Sequence, residues 1–278
     1  TNQKQDFLKH FNFIGKSVLE SIQDEQGGEH IVYDHSDSDF LYRLANGARI
    51  ALMSPGFFGD SATVSNITYL SSRRKEGEVS VSDESTYKSH LYSRKVIAGV
   101  DRLSFGRGAA FFGSMFGIDN REAIPPFFPI GRNSDGIFSK TLSYYNPLAF
   151  SAYLPYLVGH FPPDERSFNE ENLIDIGPSL SSFVLFMHEA YGKTLKGPPI
   201  LEPGTGLGRF IRDIGKLSPS SFTEYCYHIW RSLLGRHVFY HQGLLEYYNG
   251  EPWYWAEDVR KTIEAGKQLM LSSVPALP

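Results

Sequence analysis

The chain has 278 residues, enough to bury a sizeable core as one large domain or two small ones. A formal net charge of -4 and a pI near 6.1 leave no electrostatic footprint for nucleic acid. The single cysteine, Cys226, excludes an internal disulfide and suits a reducing, cytoplasmic setting; no apolar run approaches the ~20 residues of a membrane span, and no signal-peptide pattern is visible.

Residues 4–23 place Phe7, Leu8, Phe11, Ile14, Val18, Leu19 and Ile22 at helical spacing, which predicts an amphipathic helix with an interruption at Gly15. "DHSDSDF", Asp34 to Phe40, contains an Asp-x-Asp triplet of the kind that grips Mg²⁺ on a diphosphate, although an acidic linker is the simpler reading. "GARIALMSP" at 47–55 reads as a buried strand. The stretch 71–86, charged and serine-rich, reads as a surface loop, with a helix to follow from Ser85 as N-cap.

"NREAIPPFFPIGRNSDGIF", residues 120–138, sets an apolar collar of three prolines and three phenylalanines around Arg132, Asn133, Ser134 and Asp135. The prolines hold the backbone extended. Arg132 brings a planar fork and Asp135 a carboxylate, a pair suited to orienting a polar ligand or taking a proton. The same two residues are also suited to pairing with each other and capping a helix near Ile137. Asp119 and Arg121, just upstream, read as an internal lock of the loop.

Beyond the collar the pattern turns helical. "NPLAFSAYLPYLVGH" is a helix candidate broken near Pro155, and "SLSSFVLFMHEAYG" a helix stopped by Gly192. Residues 220–249 read as one long helix or two, and "WYWAEDVRKTIEAGKQLMLSS" as the last. "ILEPGTGLGRFI" carries the Glu202, Gly204, Gly206, Gly208 spacing of methyltransferases that use S-adenosylmethionine, but paired prolines before it argue against the central strand such a site needs, and favour a glycine-rich loop. His237 and His241, four apart, share a helix face without the third ligand of a zinc site. Cys226, in apolar surroundings, reads as a buried, inert thiol. The whole is α+β, with short β segments in the first half and a mostly helical second half.

"GFFGDSA" at 56–62, "GIDNREAIPPFFPIGRNSDGIF" at 117–138 and "YLPYLVGHFPPDER" at 153–166 resemble, in this order, blocks of a bacterial group of GT-A-type glycosyltransferases. The resemblance spans most of residues 5–170 and thins out beyond. It implies a glycosyltransferase-like acceptor-side region over 1–170, with a helical region at 171–278 packed on it. The family's nucleotide-binding half, with its acidic metal motif, has no counterpart here, so Thr1 would mark a cut in a larger enzyme. Any Mg²⁺ or Mn²⁺ would then arrive with the nucleotide-sugar donor. On this resemblance Asp135 is the base that deprotonates the acceptor hydroxyl. Arg132 and Asn133 orient the acceptor or the diphosphate, Asp60 holds a sugar hydroxyl, and His160 is a weaker partner. Ser134 stands where members of the group often carry an acidic residue. The acceptor would be a small molecule or a glycan. The competing expectation is a ligand-binding or scaffold module without turnover.

Overall fold

A computed structural model describes residues 10–25, 37–63, 66–71, 81–107, 115–122, 124–129, 133–174, 179–194 and 205–272. The chain is α+β, as its sequence indicates. It divides into two units, one of Thr1–Phe57, Ile97–Gly159 and Val184–Lys216, the other of Phe58–Val96, His160–Phe183 and Leu217–Pro278.

The first described element is helix α1 (Val18–Glu25). Gly15 breaks the run ahead of it, with φ +78°, a value open to glycine at no steric cost. Ser17 then forms an antiparallel bridge to Arg49, so the chain meets the sheet before the helix starts. Residues 4–9 of the expected helix lie outside the described residues. Helix α2 (Ser38–Ala45) opens on Asp37, whose carboxylate accepts from Asp39 N and Phe40 N at 2.7 and 3.2 Å. The acidic triplet is therefore a helix start.

Strand β1 (Arg49–Asp60) extends beyond the expected 47–55 to the end of "GFFGD". With β2 (Lys95–Ala98), β3 (Ser104–Gly106), β4 (Gly117–Ile118) and β5 (Ala149–His160) it forms a sheet of order β2-β1-β5-β3, with β4 on β1. β4 runs antiparallel to β1, pairing Leu52 with Ile118, and β3 antiparallel to β5, pairing Phe105 with Ala152.

β5 corrects the helix expected over 146–160. "AFSAYLPYLVGH" offers β-friendly aromatics and no helical stripe. Phe150, Ala152 and Leu154 lie on one face, in a cluster with Phe13, Val18, Leu44, Ile50 and Met53. Ala149 joins Leu52, Phe138 and Leu142 in a second cluster, as the two-residue repeat of a strand requires. Pro155 lies past the ladder with β3, which spans Ser151–Tyr153, so its missing N–H costs no bond there.

Helices α3 (Ile67–Ser71) and α4 (Glu84–Tyr92) follow β1. α4 is capped by Asp83, not Ser85: the helix starts at Glu84, so Ser85 already lies in its first turn, and the Asp83 carboxylate accepts from Thr86 N at 2.9 Å and Thr86 Oγ1 at 2.7 Å. Residues 72–80 of the expected loop lie outside the described residues. Helix α5 (Ser134–Tyr145) follows the collar; α6 (Glu170–Ile174), α7 (Leu180–Thr194) and α8 (Thr205–Ile214) come next. Gly192 does not stop α7. It lies inside the helix, where a methyl group would run into the Tyr144 hydroxyl. Gly206 and Gly208 sit within α8 instead of a loop, and Gly206 likewise makes room for the Tyr191 hydroxyl.

The second unit is built on α9 (Pro219–Tyr247) and α10 (Trp253–Leu271). α9 is one continuous helix, capped by Ser218 with proline at its first position, as proline's fixed φ favours. Leu70, Tyr87, Leu91, Val238, Trp255 and Val259 form its core, and the Trp255 indole donates to Leu70 O at 3.1 Å. Inside this core Asp258, 4% exposed, accepts from the Tyr87 hydroxyl at 3.0 Å and the Lys88 ammonium at 2.8 Å. Lys88 is 31% exposed and can return to water if Asp258 is removed, but the buried Tyr87 hydroxyl would be left without its acceptor. Asp258→Ala should therefore lower stability by about 1–3 kcal/mol in urea denaturation, whereas Tyr87→Phe, which removes one hydroxyl, should cost about 1 kcal/mol.

Candidate functional site

The collar is a docking device. Phe127 lies flat on Phe138 with ring centroids 4.2 Å apart and planes 8° apart, and Phe116 leans on both at 5.9 and 6.5 Å. Phe138 is fully buried while Phe127 is 43% exposed, so the proline-stiffened segment is clamped onto α5 from outside. Three prolines leave Phe127 few alternatives, which keeps the ordering cost of the stack low.

α5 starts at Ser134, three residues ahead of the expected opening at Ile137. Asn133, just before it, is left-handed at φ 66° and ψ 30°, a conformation asparagine accepts more readily than most residues. Its side chain makes no cap hydrogen bond and lies against Gly136, where any Cβ would strike the carboxamide. Asp135 thus stands in the first turn of α5, half-buried, with Oδ1 accepting from Gly136 N at 2.9 Å. Arg132, the other half of the expected pair, lies outside the described residues.

Asp60 ends β1 in a different chemical setting. It is 6% exposed, and two guanidiniums hold it as forks: Arg94 at 3.0 and 3.2 Å, Arg166 at 3.1 and 2.9 Å. Ala62 N adds a bond at 2.7 Å. These donors, led by Arg94, outweigh burial and pull the carboxyl from 3.8 to about 2. The Asp60 carbonyl accepts from His160 Nδ1 at 2.6 Å, and Arg94 stacks on Phe168 at 5.0 Å. Gly59, at φ +112°, lets the chain pass the His160 carbonyl, which a side chain would strike. Asp60, Arg94, His160 and Arg166 therefore form a staple joining three chain segments of the second unit. Its oxygens are already taken by cations.

The first unit holds a cavity of about 360 Å³ that no sequence spacing announces. Arg49 and Ala51 from the start of β1, Asp119 and Glu122 after β4, and Leu142, Tyr145 and Asn146 from the end of α5 line it. Asp119 is locked to Arg121 through a fork at 2.8 and 2.9 Å, as its spacing suggests, and this lowers its pKa, with a smaller contribution from Arg49. Arg121 also donates to Ile14 O at 3.4 Å, next to Gly15, where a side chain would collide with the guanidinium. Asn146 donates to Glu122 Oε2 at 2.9 Å. Glu122 lies inside the resemblance block "GIDNREAIPP", but Arg49, Tyr145 and Asn146 are too far apart in sequence to be grouped without the fold.

The remaining candidates resolve into structure. His241 Nδ1 donates to His237 O at 2.9 Å and its Nε2 meets Ser71 Oγ at 3.1 Å. Burial first, then the neighbouring His241, pushes His237 down to about 4. Among the described residues no three His, Cys, Asp or Glu side chains are grouped to hold a metal ion. Asp37 is spent on its cap, and Asp39 pairs with Arg43 at 3.1 Å. Cys226 is 2% exposed and its thiol pKa is raised by burial. Residues 195–204, which hold Glu202 and Gly204, lie outside the described residues. No described helix is long and apolar enough to cross a membrane. No family model, curated protein or solved structure matches the chain.

The Asp60 staple titrates in a defined window. A carboxyl depressed from 3.8 to about 2 contributes stability above its unfolded pKa and loses it as pH falls through the folded value. With solvent screening at half-exposed Arg166 allowed for, that contribution is about 1–2 kcal/mol at neutral pH. Asp60→Asn should flatten the acid limb of a stability–pH profile between 3.8 and about 2, measured by urea denaturation.

Proposed function

We propose that this chain carries the acceptor-side site of a glycosyltransferase, which moves a sugar from a nucleotide-sugar donor to an acceptor hydroxyl. The observation that carries this reading is the presentation of Asp135. It sits in the first turn of a helix whose seat is fixed by buried Phe138 and whose approach is clamped by Phe127. A base must be held still near its proton, and a helix terminus on a rigid frame does this better than a free loop. Asp135 takes the proton of the acceptor hydroxyl as its oxygen attacks the anomeric carbon, and the nucleoside diphosphate leaves with the bonding electrons. Asn133 lies beside it, and on the sequence resemblance Arg132 and Asn133 orient the acceptor or the diphosphate. The staple geometry gives Asp60 and His160 the task of holding the end of β1. Among the described residues no three metal-ligating side chains are grouped, and on this reading a cation arrives with the donor. A cytoplasmic setting, where nucleotide sugars are made, agrees with the lone buried cysteine.

A binding module without turnover is the second reading, favoured by a cavity of about 360 Å³ in the first unit that is lined by charged and polar side chains. A donor panel separates the two. The full-length enzyme, of which this chain would be the acceptor-side part, is offered UDP-, GDP-, dTDP- and CMP-sugars, and release of the nucleotide is followed. Under the transferase reading Asp135→Asn lowers turnover by about 10²–10⁴-fold with an unchanged melting temperature, since the amide keeps the shape. A protein that turns over no donor, or an active but destabilised Asp135→Asn variant, ends the catalytic assignment.

A further inference from the structure

The cavity of the first unit lies away from Asp135. α5 rises ~1.5 Å per residue, so Tyr145 in the cavity wall is about 15 Å along the axis from Asp135. A ligand seated there is held without reaching the proposed base, and the cavity needs a chemistry of its own.

Its volume, about 360 Å³, falls in the range of small-molecule sites. The charges around it cancel. Arg49 and Arg121 offset Asp119 and Glu122, and the fork between Asp119 and Arg121 fixes one of these pairs. A site balanced in this way offers no net attraction to an anion or a cation. What it offers is directional hydrogen bonding: carboxylate acceptors at Asp119 and Glu122, and guanidinium and amide donors at Arg49 and Asn146. Beside these lie the apolar faces of Ile118 and Leu142. The walls are braced by backbone bonds, Arg49 N to Leu148 O at 2.9 Å, Asp119 N to Ala51 O at 2.9 Å and Ala149 N to Asn146 O at 3.0 Å. A braced wall binds without paying for its own ordering.

We propose that this cavity binds a neutral saccharide, a pyranose ring with its hydroxyls on Glu122, Asp119 and Asn146 and its C–H face on the apolar side. The assignment stands on the cavity alone and holds whether or not Asp135 supports turnover. If both hold, the cavity is a remote subsite for a glycan acceptor.

The test is a saturation-transfer NMR titration of the whole protein with glucose, galactose, mannose and N-acetylglucosamine. Sodium phosphate is the anionic probe. At least one sugar should bind in the millimolar range. Glu122→Ala, an exposed change, should weaken that binding about tenfold, the loss of one hydrogen bond to a charged group, with an unchanged melting temperature. Asp135→Asn should leave it intact, so that a lost base and a lost subsite are read separately. The proposal is overturned if none of the four sugars binds, if phosphate occupies the cavity in preference, or if the sugar signal is indifferent to Glu122→Ala.

Discussion

A carboxylate shut away from water must be given cations, and Asp60 is given two. Each guanidinium comes from a different chain segment, Arg94 at the entry to β2 and Arg166 just beyond β5. The requirement to neutralise one buried charge therefore decides where three segments meet. Losing one fork would leave acceptor positions of the buried Asp60 carboxylate unfilled, so each fork supports the other. Neighbouring features conform to it. Gly59 must lack a side chain, the His160 imidazole must turn its Nδ1 to the Asp60 carbonyl, and Ser93 and Ser167 are brought close enough to bridge.

The same unit repeats the device in its helical core, where Asp258 collects Tyr87 and Lys88. Both carboxylates sit where apolar packing alone would leave orientation undecided, at a strand end and on a helix face. Ion pairs of this kind add little net stability, but they penalise every arrangement in which a partner is missing. The first unit relies on ring packing instead. Two of its polar pairs, Asp119 with Arg121 and Asn146 with Glu122, stay at the wall of a cavity and brace loops.

Much of this was legible in order but not in space. β1 showed itself by an apolar run between glycine and proline, the break at Gly15 by glycine within a helical stripe, and α9 and α10 by long periodic patterns. β5 was misread because "AFSAYLPYLVGH" is apolar on both faces and carries a proline, two signs that fit a broken helix as well as a strand buried on both sides. Gly192 and Gly206 were read as stop and loop because a glycine that makes room for a tyrosine hydroxyl looks, in sequence, like one that ends a helix. Asp60 looked available because its partners lie 34 and 106 residues away. The cavity was invisible for the same reason, since Arg49 and Asn146 meet only when β1, β4 and α5 are assembled.

The collar shows how one segment serves both ends of a helix. Its prolines restrict the chain before α5, so Phe127 meets Phe138 with little freedom to lose, and the stack fixes the axis of α5 against the sheet. Fixing an axis fixes both termini at once. At the N-terminus this sets Asn133 in its left-handed turn and places Asp135. At the C-terminus it brings Leu142, Tyr145 and Asn146 to the cavity wall, where Asn146 bonds Glu122 from the collar's own first residues. The polar cluster and the cavity are thus separate in chemistry but share one mechanical support. A change that loosens the Phe127–Phe138 stack reaches both, whereas a change to Glu122 or to Asp135 reaches one.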